Sequence, residues 1–157
     1  MKIHFLLFSL VMVFGLSSCL KGDNFDPALQ AQQDDAIIVK FLADKNITAI
    51  KHSSGLYYQI IQPGSGSIVY TANTQVTTNY TGRLLSGVVF DKTTTQPVSF
   101  KLGQVIVGWQ LGVPLIQKGG KIRLFIPSGY GYGPQSSGQI PANAVLDFDI
   151  ELIDVQN

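Results

Sequence analysis

The chain has 157 residues, enough for one modest hydrophobic core with short appendages and too few for two independent cores. Its 11 Lys and Arg stand against 10 Asp and Glu, a formal charge of +1 with no run of one sign, which excludes the electrostatic footprint of a nucleic-acid-binding protein. One cysteine excludes an intrachain disulfide framework.

Residues 1–19 read as an export signal, with Lys2 supplying positive charge, an apolar run from Ile3 to Leu16, and then Leu16-Ser17-Ser18-Cys19. The run is too short to span a bilayer stably. The small residues before the cysteine resemble a bacterial lipobox, where the signal is cut and the new N-terminal cysteine is acylated. On that reading Cys19 is the lipid attachment point and the membrane is a partner through it. The expected location is then the bacterial cell envelope, at the outer membrane facing periplasm or surface. An ordinary signal peptide with an incidental cysteine is the alternative.

Residues 20–54 divide into a polar tether and a helix. Asp26 suits the N-cap and Pro27 the first turn, and Ala36, Ile37, Val39, Lys40, Phe41 and Leu42 place an apolar stripe on the helix up to about Lys45. Such a helix serves either as an arm packed on the main domain or as a homodimerisation element. Between Ile47 and Ser54 the pattern is lost.

The main domain spans residues 55–157. A strand over 56–62 ends at Pro63-Gly64-Ser65-Gly66. Residues 75–84 put Val76, Thr78, Tyr80 and Leu84 on one face, and Val98, Phe100 and Leu102 repeat the period of two. Further on, Ile122, Leu124 and Ile126 point inward, and Leu146, Phe148, Ile150 and Leu152 alternate with Asp147, Asp149 and Glu151, which predicts a solvated acidic face. One interior segment, 105–112, reads as a short helix carrying Trp109 and halted near Pro114. The fold class is α+β, an antiparallel sheet curled over one short helix with a further helix before it.

Beyond the signal segment His52 is the one imidazole, so the nucleophile and base pairings of acyl transfer have nothing to draw on. No cluster of His, Cys or carboxylates has ligand spacing, and Gly129, Gly131 and Gly133 lie among tyrosines with no following lysine. Neither metal nor cofactor is expected. What remains is an excess of aromatic and branched residues at element ends: Tyr80, Phe90, Phe100, Val105, Ile106, Trp109, Tyr130, Tyr132, Ile140 and Phe148. Residue chemistry alone leaves these as core or as the lining of a groove with a glycine-rich rim.

Certain strings narrow the choice: Asn79-Tyr80-Thr81-Gly82, Val88-Val89-Phe90-Asp91, Gln104-Val105-Ile106-Val107-Gly108-Trp109, Ile126-Pro127-Ser128-Gly129-Tyr130-Gly131-Tyr132-Gly133, and the run from Ile140 to Leu152. In order and spacing, from about Gly55 to Val155, the chain resembles the FKBP-type peptidyl-prolyl isomerases. The resemblance implies a five- or six-stranded antiparallel sheet on a short helix, and between them a pocket for a proline ring. By matching position Trp109 is its floor and Tyr80, Phe90, Phe100, Val105, Ile106 and Phe148 its walls, with Ile140 bordering the substrate. The Ile106 N–H and the Tyr132 hydroxyl would bind substrate carbonyls, with Asp91 at the rim. Val98 stands where the family often has a phenylalanine, which implies a wider wall, and Val107 where a basic residue is common. The arginine that often pairs with Asp91 is missing from the short segment 92–96, and Lys92 is the candidate substitute; the loop 134–139 is also short. The implied activity is Xaa-Pro isomerisation on proline-containing exported polypeptides. An FKBP-like binding module or chaperone with weak turnover is the alternative.

Overall fold

A computed structural model describes residues 25–157. The export signal, the Cys19 motif and most of the tether lie outside the described residues. Helix α1 (Pro27–Asp44) begins where capping chemistry places it, with Asp26 Oδ1 accepting from the N–H groups of Ala28 and Leu29 at 2.9 and 3.2 Å. The buried face of α1 differs from the predicted stripe. Asp34, Ile38 and Leu42, four residues apart, face the domain, whereas Ile37 and Val39 flank that line and are exposed.

The strands are β1 (Ile50–Lys51), β2 (Tyr57–Gln62), β3 (Gln75–Leu84), β4 (Val89–Lys92), β5 (Val98–Lys101), β6 (Lys121–Ile126) and β7 (Leu146–Gln156). They form one antiparallel sheet in the order β1-β2-β6-β7-β3-β4, with β5 also on β3. The α+β class holds, and among the described residues the strand count is seven because β1 lies in the stretch that showed no pattern. Two residues are too few to display a period. Ten-residue β3 receives β5 along Gln75–Thr78 and β4 along Thr81–Arg83 on one edge, and β7 along the whole of the other.

The predicted helix at 105–112 is shorter than its sequence pattern. Leu102–Gln104 form a 3-10 turn, Val105 and Ile106 are extended, and α2 covers Val107–Gly112. Three successive β-branched residues favour this extended lead-in. The helix lies close on the sheet because Gly108 and Gly112 face it: a Cβ on Gly108 would meet Ile126 Cγ2 at 2.5 Å, and one on Gly112 would meet Leu124 Cδ1 at 2.5 Å. Trp109, Val113 and Ile116 complete the main core with Val76, Ile122, Leu124, Leu146, Ile150 and Leu152.

The opposite face of the sheet is covered at one end by α1. Ile38 and Leu42 pack with Tyr57, Phe125 and Val145, and Phe41 lies 6.0 Å from the Phe125 ring. Fully burying one such aliphatic side chain is worth about 1.5–3 kcal/mol. Asp147 lies on this face too, and the solvated reading fails for it: the residue is 1% exposed. Both guanidinium groups of its neighbours bind it, Arg83 Nε at 2.8 Å and Arg123 at 2.8 and 2.9 Å, and Arg123 in turn stacks on Phe125 at 5.0 Å. A buried carboxylate persists because two cations with matched geometry satisfy it. Asp149 remains half exposed, as predicted.

Candidate functional site

A cavity of about 230 Å3 opens between α2 and the inner face of the sheet. Trp109 forms its floor through three edge-to-face contacts, with ring centroids at 5.2 Å from Tyr80, 5.8 Å from Phe100 and 5.5 Å from Phe148. Interplanar angles of 83–87° fit the ring quadrupoles, so these four aromatics hold one another in orientation. Trp109 Nε1 is buried without an acceptor. An unmade bond of that kind costs about 1–3 kcal/mol, which the surrounding apolar packing must outweigh.

The extended backbone before α2 supplies the next wall, with Val105 and Ile106 both lining the cavity. The Ile106 carbonyl accepts from Trp109 N–H at 2.9 Å, which fixes the floor to the wall. Its own N–H finds no acceptor among the described residues. Gln104 also lines the cavity, and its side chain was given no role in the sequence reading. The only signal was a polar residue at the head of the Gln104-Val105-Ile106 string.

Polar groups gather at the rim. The Tyr80 hydroxyl donates to Asp91 Oδ2 at 2.7 Å, so Tyr80 and not Lys92 is the partner of Asp91. The segment after β4 folds back on the same residue, with Thr93 N–H donating to the Tyr80 carbonyl at 3.0 Å and Tyr80 N–H to Thr93 Oγ1 at 3.1 Å. Burial, and then the Asp91 carboxylate, push the Tyr80 phenol well above its usual range. Tyr132 is shifted the same way, mainly by burial and secondarily by Asp91. Both phenols are therefore held as neutral donors across the physiological range.

Tyr80, Asp91, Phe100, Val105, Ile106, Trp109, Tyr132 and Phe148 thus converge on one cavity. Three other predicted site residues do not line it. Phe90 stands behind Phe148, edge-on at 5.5 Å, with both rings against Gly82, whose hypothetical Cβ would meet them at 2.8 and 2.5 Å. Val98 opens β5 opposite Thr78 and is largely exposed, so it widens no wall. Ile140 is buried in the main core and bridges to Ser137, tying the short loop 134–139 to the interior.

His52 is placed in the turn before β2, its Nδ1 within 2.9 Å of Ser54 Oγ, and does not line this cavity. Among the described residues no group of three His, Cys, Asp or Glu is placed to hold a metal ion. A larger groove of about 670 Å3 runs between α1 and the turn after β6, and of the aromatic and branched residues singled out in the sequence Tyr130 alone lines it.

Comparison with known proteins bears on this geometry. The family model described as FKBP-type peptidyl-prolyl cis-trans isomerase matches residues 66–153. The FKBP-type peptidyl-prolyl cis-trans isomerase FkpA of Buchnera aphidicola subsp. Schizaphis graminum is 44% identical over 120 residues, which cover 75% of this chain and 47% of that protein. Among solved structures, that of FkpA from Escherichia coli superposes with a TM-score of 0.70 at 38% identity, covering 82% of this chain and 60% of the other. A peptidyl-prolyl cis-trans isomerase from Pseudomonas syringae pv. tomato gives 0.68 at 33% identity, covering 85% and 98%. The chain spans about half the length of the curated relatives it matches.

Proposed function

The chain belongs to the FKBP-type peptidyl-prolyl cis-trans isomerases, and from that premise we propose that it accelerates the rotation of Xaa-Pro peptide bonds in the cavity over Trp109. The observation that carries the reading is an aromatic floor around Trp109 whose polar groups, Asp91, Tyr132 and the unpaired Ile106 N–H, lie at its edge. Rotation about an Xaa-Pro bond breaks amide resonance alone, against a barrier of about 18–20 kcal/mol in proteins generally. No covalent bond is made or cut. In the twisted amide the nitrogen regains its lone pair and the carbonyl loses charge, so the twisted state is less polar than the planar one. A dry aromatic cavity stabilises it differentially, which is the condition for acceleration.

The residues divide the work as follows. Trp109, Tyr80, Phe100 and Phe148 enclose the prolyl ring, and Val105 and Ile106 close the side. The Ile106 N–H, without an acceptor among the described residues, donates to a substrate carbonyl, and the Tyr132 hydroxyl restrains a flanking one. Asp91 orients the Tyr80 ring through its hydroxyl. Phe90 acts from behind by fixing Phe148.

The same proposal places the enzyme in the bacterial envelope, lipid-anchored at Cys19 and acting on proline-containing exported polypeptides. The support is the Leu16-Ser17-Ser18-Cys19 string after an apolar run. Pairing of two copies through α1 belongs to it as well, supported by the exposed Leu29, Ile37 and Val39. A protease-coupled Xaa-Pro peptide assay on residues 20–157 tests the activity. Acceleration that disappears in Trp109→Leu with Tyr132→Phe is the expected result, and a wild type no faster than buffer overturns it. Palmitate labelling lost in Cys19→Ser tests the anchor, and sedimentation equilibrium tests the pairing.

A further inference from the structure

Asp34 is a carboxylate at 1% exposure on α1, outside the span matched by the family model, and the catalytic reading above gives it no task. It is fully engaged. Oδ2 accepts from both the N–H and the Oγ–H of Ser128 at 2.7 Å, and Oδ1 accepts from Gln30 Nε2 at 2.8 Å. Ser128, itself 1% exposed, opens the 3-10 turn Ser128–Tyr130 that follows β6.

From Ser128 the connection runs directly to the cavity rim. The Ser128 carbonyl accepts from Gly131 N–H at 3.0 Å and from Gly133 N–H at 2.9 Å, the residues on either side of Tyr132. Gly133 is in the left-handed region at φ +66°, and its carbonyl accepts from Asn143 N–H at 2.8 Å. Tyr130, two residues earlier, donates its hydroxyl to the Ser54 carbonyl at 2.9 Å and does not line the cavity, leaving Tyr132 as the ring that reaches it. Both ends of the tripeptide around Tyr132 are therefore held by one serine carbonyl. The other polar groups of that serine are held by one carboxylate.

We propose that Asp34 is a positioning residue for Tyr132, so that α1 forms part of the support of the active site and sets where the Tyr132 hydroxyl sits. The inference rests on the isomerase reading for its kinetic consequence. A charged acceptor suits the task, since bonds from an N–H and an O–H to a carboxylate are stronger than their neutral counterparts, and at this burial water cannot replace them. Displacement of a substrate-orienting group by a fraction of an ångström lowers turnover far more than it lowers stability.

The test is a double-mutant cycle in residues 20–157, reading kcat and KM in the peptide assay. Asp34→Asn keeps the shape and one acceptor oxygen, and is expected to lower kcat/KM about tenfold. In a Tyr132→Phe background the same change is expected to add less than about twofold, because the hydroxyl it positions is already gone. Ile38→Ala, on the same buried face of α1, is expected to lower the urea midpoint and leave kcat/KM near wild type. Equal effects of Asp34→Asn with and without the Tyr132 hydroxyl overturn the proposal, as does an Ile38→Ala loss of the same size.

Should Asp34→Asn not fold, Ser128→Ala, which removes one of the two donors, takes its place in the cycle. Independently of turnover, the ring-carbon NMR signal of Tyr132 is expected to titrate nearer the ordinary phenol range in Asp34→Asn, and an unchanged titration overturns the proposal. A wild type without isomerase activity sinks the functional reading, while the NMR titration still decides the positioning.

Discussion

The Tyr80 hydroxyl donates to Asp91 Oδ2 at 2.7 Å, from two residues along the neighbouring strand, and so fixes the Tyr80 ring, which meets Trp109 edge to face at 5.2 Å. This contact lies at an exposed rim, where water can replace it. Asp91→Ala is therefore expected to lower stability by less than about 1 kcal/mol. Turnover is expected to suffer more, with kcat/KM falling about threefold to tenfold as the ring loses its orientation. Urea unfolding and the peptide assay on the same preparation separate the two effects.

The two rim phenols predict the alkaline behaviour. Both Tyr80 and Tyr132 are held above the ordinary phenol value by burial first and by the Asp91 carboxylate after it. Their neutral forms are favoured in the folded protein, so the unfolded chain ionises first as the pH rises. The stability they contribute is fully present below about pH 10 and is lost above it. The rate is expected to stay level through about pH 10, where an ordinary phenol would already be half ionised. A pH–rate profile that bends down near neutrality would contradict this.

The acid limb has the opposite sign. Asp35 is held below its ordinary value chiefly by Lys51, Glu151 by Lys121 and Asp154 by Lys118. Stability from these pairs is present above about pH 4 and fades as the pH falls through the lowered values. All three pairs are at least partly exposed, so added salt is expected to shrink this contribution. Urea midpoints at two ionic strengths across the acid range measure it.

Gly82 is expected to be intolerant of a methyl group. Its Cβ would meet Phe148 at 2.5 Å and Phe90 at 2.8 Å, and these rings are locked edge to face. Gly82→Ala should cost about 1–3 kcal/mol by overpacking. Because Phe148 is also a cavity wall, kcat/KM should fall as well. A variant with altered stability and unaltered kinetics would show that the cavity does not depend on that ring.

Asp147 and Asp149 lie two residues apart and should respond very differently. Asp147→Ala leaves Arg83 and Arg123 without their shared buried carboxylate and is expected to cost about 3 kcal/mol. Asp149→Ala removes a half-exposed partner and should cost less than about 1 kcal/mol. Denaturant unfolding of the two variants decides it.

That pair also shows where the sequence was legible and where it was not. Strict alternation along β7 announced a strand with an apolar inner face, and it was right for Leu146 to Leu152. Alternation cannot say what lies beyond the outer face. There α1 covers one end, so Phe125 and Asp147 are buried at positions that the period assigns to solvent. The consecutive apolar Leu124, Phe125 and Ile126 carried the hint that β6 is covered on both sides.

On α1 the line of buried residues passes through an aspartate, so hydropathy favoured Ile37 and Val39 over the true face. The eight converging cavity residues were legible through the family resemblance, which carries their strings over in register, and not through residue chemistry alone. Phe90, Val98 and Ile140 occur in the same pattern, and their depth behind or beside the cavity is a three-dimensional property that no spacing encodes.

Strand β7 follows every other strand in the chain and yet lies in the middle of the sheet, between β6 and β3. Among the described residues, the half formed by β1, β2 and β6 and the half formed by β3, β4 and β5 pair through it alone. Synthesis runs from the N-terminus, so neither half can close its open edge until residues 146–156 have emerged. Pairings such as Val76 with Val155 join distant parts of the chain, which favours slow folding. Until then the edges of β6 and β3 that β7 will pair stay open. A chain with this strand order cannot complete its sheet before its last strand has been made.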